Sequence, residues 1–155
     1  PNSCPPLRSD ENFLISKVSN TRIAFVGDSL SRNQYVSFLC LLSNVEWFDI
    51  TPPPAGYDHM RHYPNINATV GILWSVFLVR PSFQTRKASP SHPEPLPIYS
   101  KIKMDLSSLD ESVVSAVKGS THVVMNSGGW WGEPHRRAVF EQSMSIVLQQ
   151  LRAFN

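Results

Sequence analysis

Arg22-Ile23-Ala24-Phe25-Val26-Gly27-Asp28-Ser29-Leu30 passes from a short apolar run into a glycine and two polar residues, and this passage decides the fold. The run Ile23 to Val26 is continuously apolar and partly β-branched, the pattern of a central parallel strand buried on both faces. Beyond Ser29, the residues Tyr35, Phe38, Leu39 and Leu42 recur at helical spacing, so an amphipathic helix follows at once. Gly27-Asp28-Ser29 is then a tight strand-to-helix turn, and Ser29 stands at a helix N-terminus.

Working outward, the segment from about Asp49 to Tyr63 is broken by Pro52, Pro53, Pro54 and Gly56 and is expected to be a surface loop. Thr69 to Val79 carries a strong strand signal. Alternation puts Val70, Ile72, Trp74, Val76 and Leu78 on one face and Leu73, Phe77 and Val79 on the other, both buried. Pro81 to Pro97 is rich in proline and polar residues and reads as an extended surface excursion. A short strand near Ile98 to Met104 precedes Ser108 and Glu111, which form a capping box ahead of a helix of about three turns through Leu109, Val113 and Val117. His122 to Met125 is another short buried-strand run, ending in Asn126-Ser127-Gly128-Gly129. Phe140, Met144, Val147, Leu148 and Leu151 mark a last amphipathic helix. Strands alternating with helices predict an α/β fold, a three-layer sandwich around a mostly parallel central sheet.

The 155 residues, 41% of them hydrophobic, suit one domain over 1–155 with its own core. A net charge of only +2 gives no basic face for nucleic acid and no acidic tail. The two cysteines, Cys4 and Cys40, lack the close spacing of a zinc or redox site, so no metal is expected. Cys40 lies in an apolar run and reads as a buried small hydrophobe, while Cys4 suits a disulfide in an oxidising compartment; pairing between the two is open. The sequon Asn67-Ala68-Thr69 makes Asn67 a candidate glycosylation site, which points the same way. No stretch reaches the roughly 20 apolar residues of a membrane span.

Active sites of open α/β sheets gather at the carboxyl ends of the strands. Two such ends are marked, by Gly27-Asp28-Ser29 and by Asn126-Ser127-Gly128-Gly129. Ser29 is a candidate nucleophile, activated only when a base takes its proton. Its backbone N–H and the Asn126 side-chain amide are candidate oxyanion donors, with Gly27 and Asp28 shaping the site. Asp28 and Ser29 also suit plain helix capping, and Asn126 an ordinary turn.

Gly27-Asp28-Ser29-Leu30-Ser31-Arg32-Asn33-Gln34, Trp74-Ser75-Val76-Phe77-Leu78-Val79 and Asn126-Ser127-Gly128-Gly129-Trp130-Trp131 occur in the order of three blocks of the plant trichome birefringence-like family, within the PC-esterase group, and the chain resembles that family from about Cys4 to its end. The resemblance implies an SGNH-hydrolase-like fold and transfer of acetyl groups, from a donor such as acetyl-CoA, to hydroxyls of a cell-wall polysaccharide. It implies residence in the Golgi lumen behind an N-terminal membrane anchor absent from this chain. It makes Ser29 the nucleophile and Asn126 an oxyanion-hole residue. Family members usually carry His where this chain has Gly129, and their Asp-x-x-His motif, the source of the general base, has no counterpart here. The expectation is therefore an incomplete domain.

Of the local histidines, His59, His62 and His92 fall in expected loops, His122 precedes a strand and suits a structural role, and His135 follows the Asn126 block. Arg32, one helical turn beyond Ser29, either faces the same cleft as a substrate contact or is solvated. Trp130 and Trp131 either stack on a sugar ring or pack internally. Three functions follow from this reading: an O-acetyltransferase acting through a Ser29 acyl-enzyme, a carbohydrate esterase with water as acceptor, and a non-catalytic polysaccharide-binding remnant.

Overall fold

A computed structural model describes residues 11–85, 97–127 and 137–152. Helix α1 (Glu11–Val18) leads into strand β1 (Arg22–Gly27) and helix α2 (Ser29–Leu41). Strands β2 (Phe48–Asp49) and β3 (His59–Tyr63) follow, then a 3-10 turn (Pro64–Ile66) and β4 (Ala68–Trp74). The chain continues through β5 (Val79–Thr85), β6 (Pro97–Leu109), α3 (Glu111–Lys118), β7 (His122–Asn126) and α4 (Arg137–Arg152).

The central sheet has the order β2-β3-β4-β1-β7, with β1 parallel to both of its neighbours, β4 and β7. Alternation along β1 sorts the core into two layers. Ile23 and Phe25 pack with Val70, Ile72 and the α2 residues Tyr35 and Leu39, and Val18 of α1 joins this layer. Ala24 and Val26 face the other way, onto Leu73, Val113 and Ala116 of α3 and Val147 of α4. Helices thus cover both sheet faces, giving the expected three layers.

The sheet is mixed rather than mostly parallel, because β3 joins it antiparallel to β4 and carries β2 on its outer edge. The expected loop from Asp49 to Tyr63 therefore contains a strand, with Met60 and Tyr63 fully buried. His-Met-Arg-His-Tyr has little intrinsic strand preference, and pairing with β4 supplies what local sequence does not. The long strand expected over Thr69 to Val79 stops at Trp74. Ser75 N–H donates to the Gly27 carbonyl (2.9 Å), and Leu78 takes a positive φ of 62°, which turns the chain into β5. Trp74 consequently faces solvent instead of core, at 45% exposure.

The expected excursion over 81–97 is partly strand: β5 and β6 form an antiparallel pair whose register runs from Val79↔Leu109 to Thr85↔Pro97; residues 86–96 lie outside the described residues. Strand β6 runs on through Ser108 to Leu109, so Asp110, not Ser108, caps α3, accepting from Ser112 N–H (2.9 Å). The later start leaves α3 eight residues, about two turns. Strand β7 is an edge strand with Val124 exposed, not a buried run.

Candidate active site

The turn between β1 and α2 is held by backbone geometry that only glycine permits. Gly27 has φ 147°, and a Cβ on it would lie 1.8 Å from the Asn126 carbonyl oxygen and 2.4 Å from Ser31 Oγ. Gly27 and Asn126 are register partners across β1 and β7, so the two sequence-marked strand ends meet at one corner. Asp28 is fully buried and serves as N-cap of α2, its Oδ1 accepting from Leu30 N–H at 2.9 Å. The capping reading of Asp28 is the one this contact shows.

Ser29 is the first residue of α2 and is exposed. Its backbone N–H belongs to the helix turn that lacks intrahelical acceptors, and it sits at the positive end of the helix dipole. An oxyanion formed on a group attacked by Ser29 would meet that end. Asn126 ends β7 beside this turn and is half-buried. Two buried serines that the sequence reading did not single out fix the corner. Ser31 Oγ donates to the Val26 carbonyl (3.1 Å) and lies 3.4 Å from the Asn126 carbonyl, and Ser127 Oγ donates to the Val76 carbonyl (2.6 Å). Ser31 falls inside the Gly-Asp-Ser block, but a serine on an amphipathic helix gives no sign of being buried.

Two cavities flank α2. One of about 510 Å³ is lined by Leu30, Asn33, Gln34, Ser37, Phe38 and Asn126, among others. The other, of about 860 Å³, runs between α2 and the β3–β4 side of the sheet and takes in Arg32, Tyr35, Val36, His59, Arg61 and Trp74. Arg32 is exposed and lines this second cavity, whose lining does not include Ser29.

Among the described residues no histidine or carboxylate hydrogen-bonds the Ser29 hydroxyl. His59 is not in a loop but opens β3, where one ring nitrogen meets the Tyr35 hydroxyl and Nε2 lies 3.0 Å from Asp49 Oδ1. Asp49 also accepts from Arg61 Nε at 3.1 Å. This Tyr35–His59–Asp49–Arg61 chain was invisible in the sequence, where its members lie apart and outside any motif. Burial pushes the Tyr35 phenol well above its usual range, against the opposing pull of Arg61. His62 sits beside Thr69 and stacks edgewise on Phe48. His122 is exposed, next to Thr121, at the far end of β7 from Asn126, so it is not a core residue. Gly129, Trp130, Trp131, His92 and His135 lie outside the described residues.

Cys40 is disulfide-bonded rather than a buried free thiol; the sequence holds one other cysteine, Cys4, outside the described residues. Among the described residues no cluster of three or more His, Cys, Asp or Glu could hold a metal, and no helix is long and apolar enough to cross a membrane.

Residues 8–153 match the PC-esterase family, described as a GDSL/SGNH-like acyl-esterase family found in Pmr5 and Cas1p. Similar curated proteins include trichome birefringence-like 25 of Arabidopsis thaliana, 30% identical over 132 residues, covering 84% of this chain and 27% of that protein. Trichome birefringence-like 18 of Arabidopsis thaliana is 31% identical over 153 residues, covering 97% of this chain and 26% of that protein. Xyloglucan O-acetyltransferase 1 of Populus trichocarpa is 27% identical over 136 residues, covering 86% and 29%. The chain thus spans less than a third of the length of these relatives. With nearly the whole of its length matched to that family and relatives at 30–31% identity alongside, the chain belongs to the PC-esterase family, together with the trichome birefringence-like proteins.

Proposed function

We propose that this chain carries the nucleophile of a polysaccharide O-acetyltransferase. Ser29 Oγ attacks the carbonyl carbon of an acetyl donor such as acetyl-CoA, forming the serine ester while the donor's leaving group departs with the proton. A sugar hydroxyl of a polysaccharide then attacks that ester, yielding the acetylated sugar and free Ser29. The observation that carries the reading is the exposed Ser29 at the N-terminus of α2, set against Asn126 by the Gly27 turn. The Ser29 backbone N–H and the Asn126 amide act as oxyanion donors, and Arg32 borders the acceptor side. The base is assigned to a residue outside those described, in keeping with the Asp-x-x-His motif of the family. The acceptor class is supported by the relative named xyloglucan O-acetyltransferase.

Incubation of the full-length protein with acetyl-CoA should add one acetyl group in intact-mass spectra, and Ser29→Ala should abolish it. Persistence of the adduct on the Ala variant would sink the assignment. The family's description as acyl esterases favours a second reading, with water as acceptor. Free acetate as the sole product in the presence of oligosaccharide selects the esterase, and acetylated oligosaccharide the transferase.

A secretory, Golgi-lumen setting is supported by the Cys40 disulfide and by Asn67. Asn67 is exposed in a left-handed conformation just before β4, at the opposite end of the sheet from Ser29, so a glycan there leaves the site clear. Loss of a peptide N-glycosidase-sensitive mass on Asn67→Gln in secreted protein tests it; an unchanged mass rejects it.

A further inference from the structure

The corner that presents Ser29 is closed by contacts outside any strand ladder. Residues 75–78 lie between β4 and β5, in neither strand, yet Ser75, Phe77 and Leu78 are buried, so the carbonyls of this segment need donors from elsewhere. Val76 receives one from the Ser127 hydroxyl at 2.6 Å. Ser127 follows β7 directly, and β7 and β4 lie on opposite sides of β1 in the sheet. The hydrogen bond from Ser127 to Val76 therefore crosses the carboxyl end of β1, where Gly27 closes the strand ahead of Ser29.

The three strand ends are tied to one another. Ser75 N–H donates to the Gly27 carbonyl (2.9 Å), joining β4 to β1. On the other side, Ser31 Oγ in the first turn of α2 lies 3.1 Å from the Val26 carbonyl and 3.4 Å from the Asn126 carbonyl. Its one hydrogen can be shared between the two, which fastens the start of α2 to the ends of both β1 and β7. Helix capping does not account for this contact, because Asp28 already caps α2. Asn126 thus has one tether on its own carbonyl and another one residue later, at Ser127. Its backbone is also packed so close to Gly27 that a Cβ there would lie 1.8 Å from the Asn126 oxygen. A side chain carried on a backbone held in this way keeps its place, and an oxyanion donor is effective only if it is in place before charge develops.

We propose that Ser127 and Ser31 are positioning residues for acyl transfer: their hydroxyls fix the end of β7 so that the Asn126 amide stands ready for the oxyanion formed at Ser29. Neither hydroxyl touches the reacting atoms; both act through Asn126. The inference rests on the acetyltransferase reading and adds to it the residues that preorganise its oxyanion donor.

The test follows acetyl-enzyme formation from acetyl-CoA in full-length protein by rapid-quench intact-mass spectrometry. Ser127→Ala should slow acetylation about tenfold, since a small displacement of a positioned group is enough to cost that much. Ser31→Ala reaches the same Asn126 carbonyl by another route; it should slow acetylation too, and it keeps the test open if Ser127→Ala does not fold. In turnover with a xyloglucan oligosaccharide, KM for that acceptor should stay at its wild-type value in both variants. The deciding measurement is a double-mutant cycle in an Asn126→Ala background, where the Ser29 backbone N–H still supports a residual rate. There, neither serine substitution should slow acetylation further, because the group they position is gone. A slowing of equal size in that background, or wild-type acetylation rates in both serine variants, overturns the proposal. Absence of an acetyl-enzyme from the wild-type protein removes the acetyltransferase reading as well, whereas normal wild-type acetylation with additive serine and Asn126 effects removes only the positioning role.

Discussion

Gly27 carries the most constrained position among the described residues. Its φ of 147° acts together with the 1.8 Å approach that a Cβ there would make to the Asn126 carbonyl, so Gly27→Ala should strain the backbone and push β1 and β7 apart. The expected loss is on the order of 3 kcal/mol or more, visible as a lower urea midpoint; a midpoint unchanged from wild type contradicts the packing at this corner. Asp28 is the next most constrained. Removing its cap by Asp28→Ala should cost about 1 kcal/mol, and Asp28→Asn, which can still accept from Leu30 N–H, should recover part of that. Equal losses for the two variants would show that the carboxylate's charge, not its capping oxygen, matters. The same substitutions move Ser29, so acetyl-enzyme formation should fall in the order of the stability losses.

At the scale of elements, α2 and β3 are joined by the hydrogen bond between Tyr35 and His59 and by the ring contact of these two side chains. Tyr35 and the neighbouring Tyr63 are both held protonated above their usual range by burial, with Arg61 opposing. Below about pH 10 these phenols are neutral in both folded and unfolded chains and contribute no pH dependence. Above it the unfolded chain ionises first, so stability should fall as pH rises. Denaturation midpoints measured from pH 8 to 11 should show this decline, and Tyr35→Phe should flatten part of it; an undiminished decline in the variant assigns it elsewhere. Helix α3 offers a separate check, since Asp110→Ala should cost about 1 kcal/mol through loss of the contact to Ser112 N–H. A loss below a few tenths would return the cap to another residue.

For the molecule as a whole, two layers of core on either side of β1 make this strand the common support of both helical layers. The disulfide at Cys40 adds a constraint from the α2 side. Reduction should lower stability by about 2–4 kcal/mol, read as a fall in melting temperature in dithiothreitol that a protein with Cys40→Ser does not show further. The layered arrangement also brings the Ser29 corner and Trp74 to one end of the sheet, the carboxyl end of β1 and β4.

The α/β class, the β1–turn–α2 unit and the placement of Ser29, Gly27, Asp28 and Asn126 were legible because their causes are local. An apolar run, a glycine able to take positive φ and a capping aspartate act within a few residues of one another. The inclusion of β3 in the sheet, the outward turn of Trp74, the burial of Ser31 and the Tyr35–His59–Asp49–Arg61 chain were not legible. Each depends on which neighbour covers a residue. Strand pairing can bury a polar stretch such as His59 to Tyr63, and a strand that ends early can expose a residue such as Trp74 that alternation alone assigns to the core. The sequence by itself determined the candidate nucleophile and the turn that presents it; the tertiary structure decided what surrounds them, because long-range packing and not local periodicity chooses the partners.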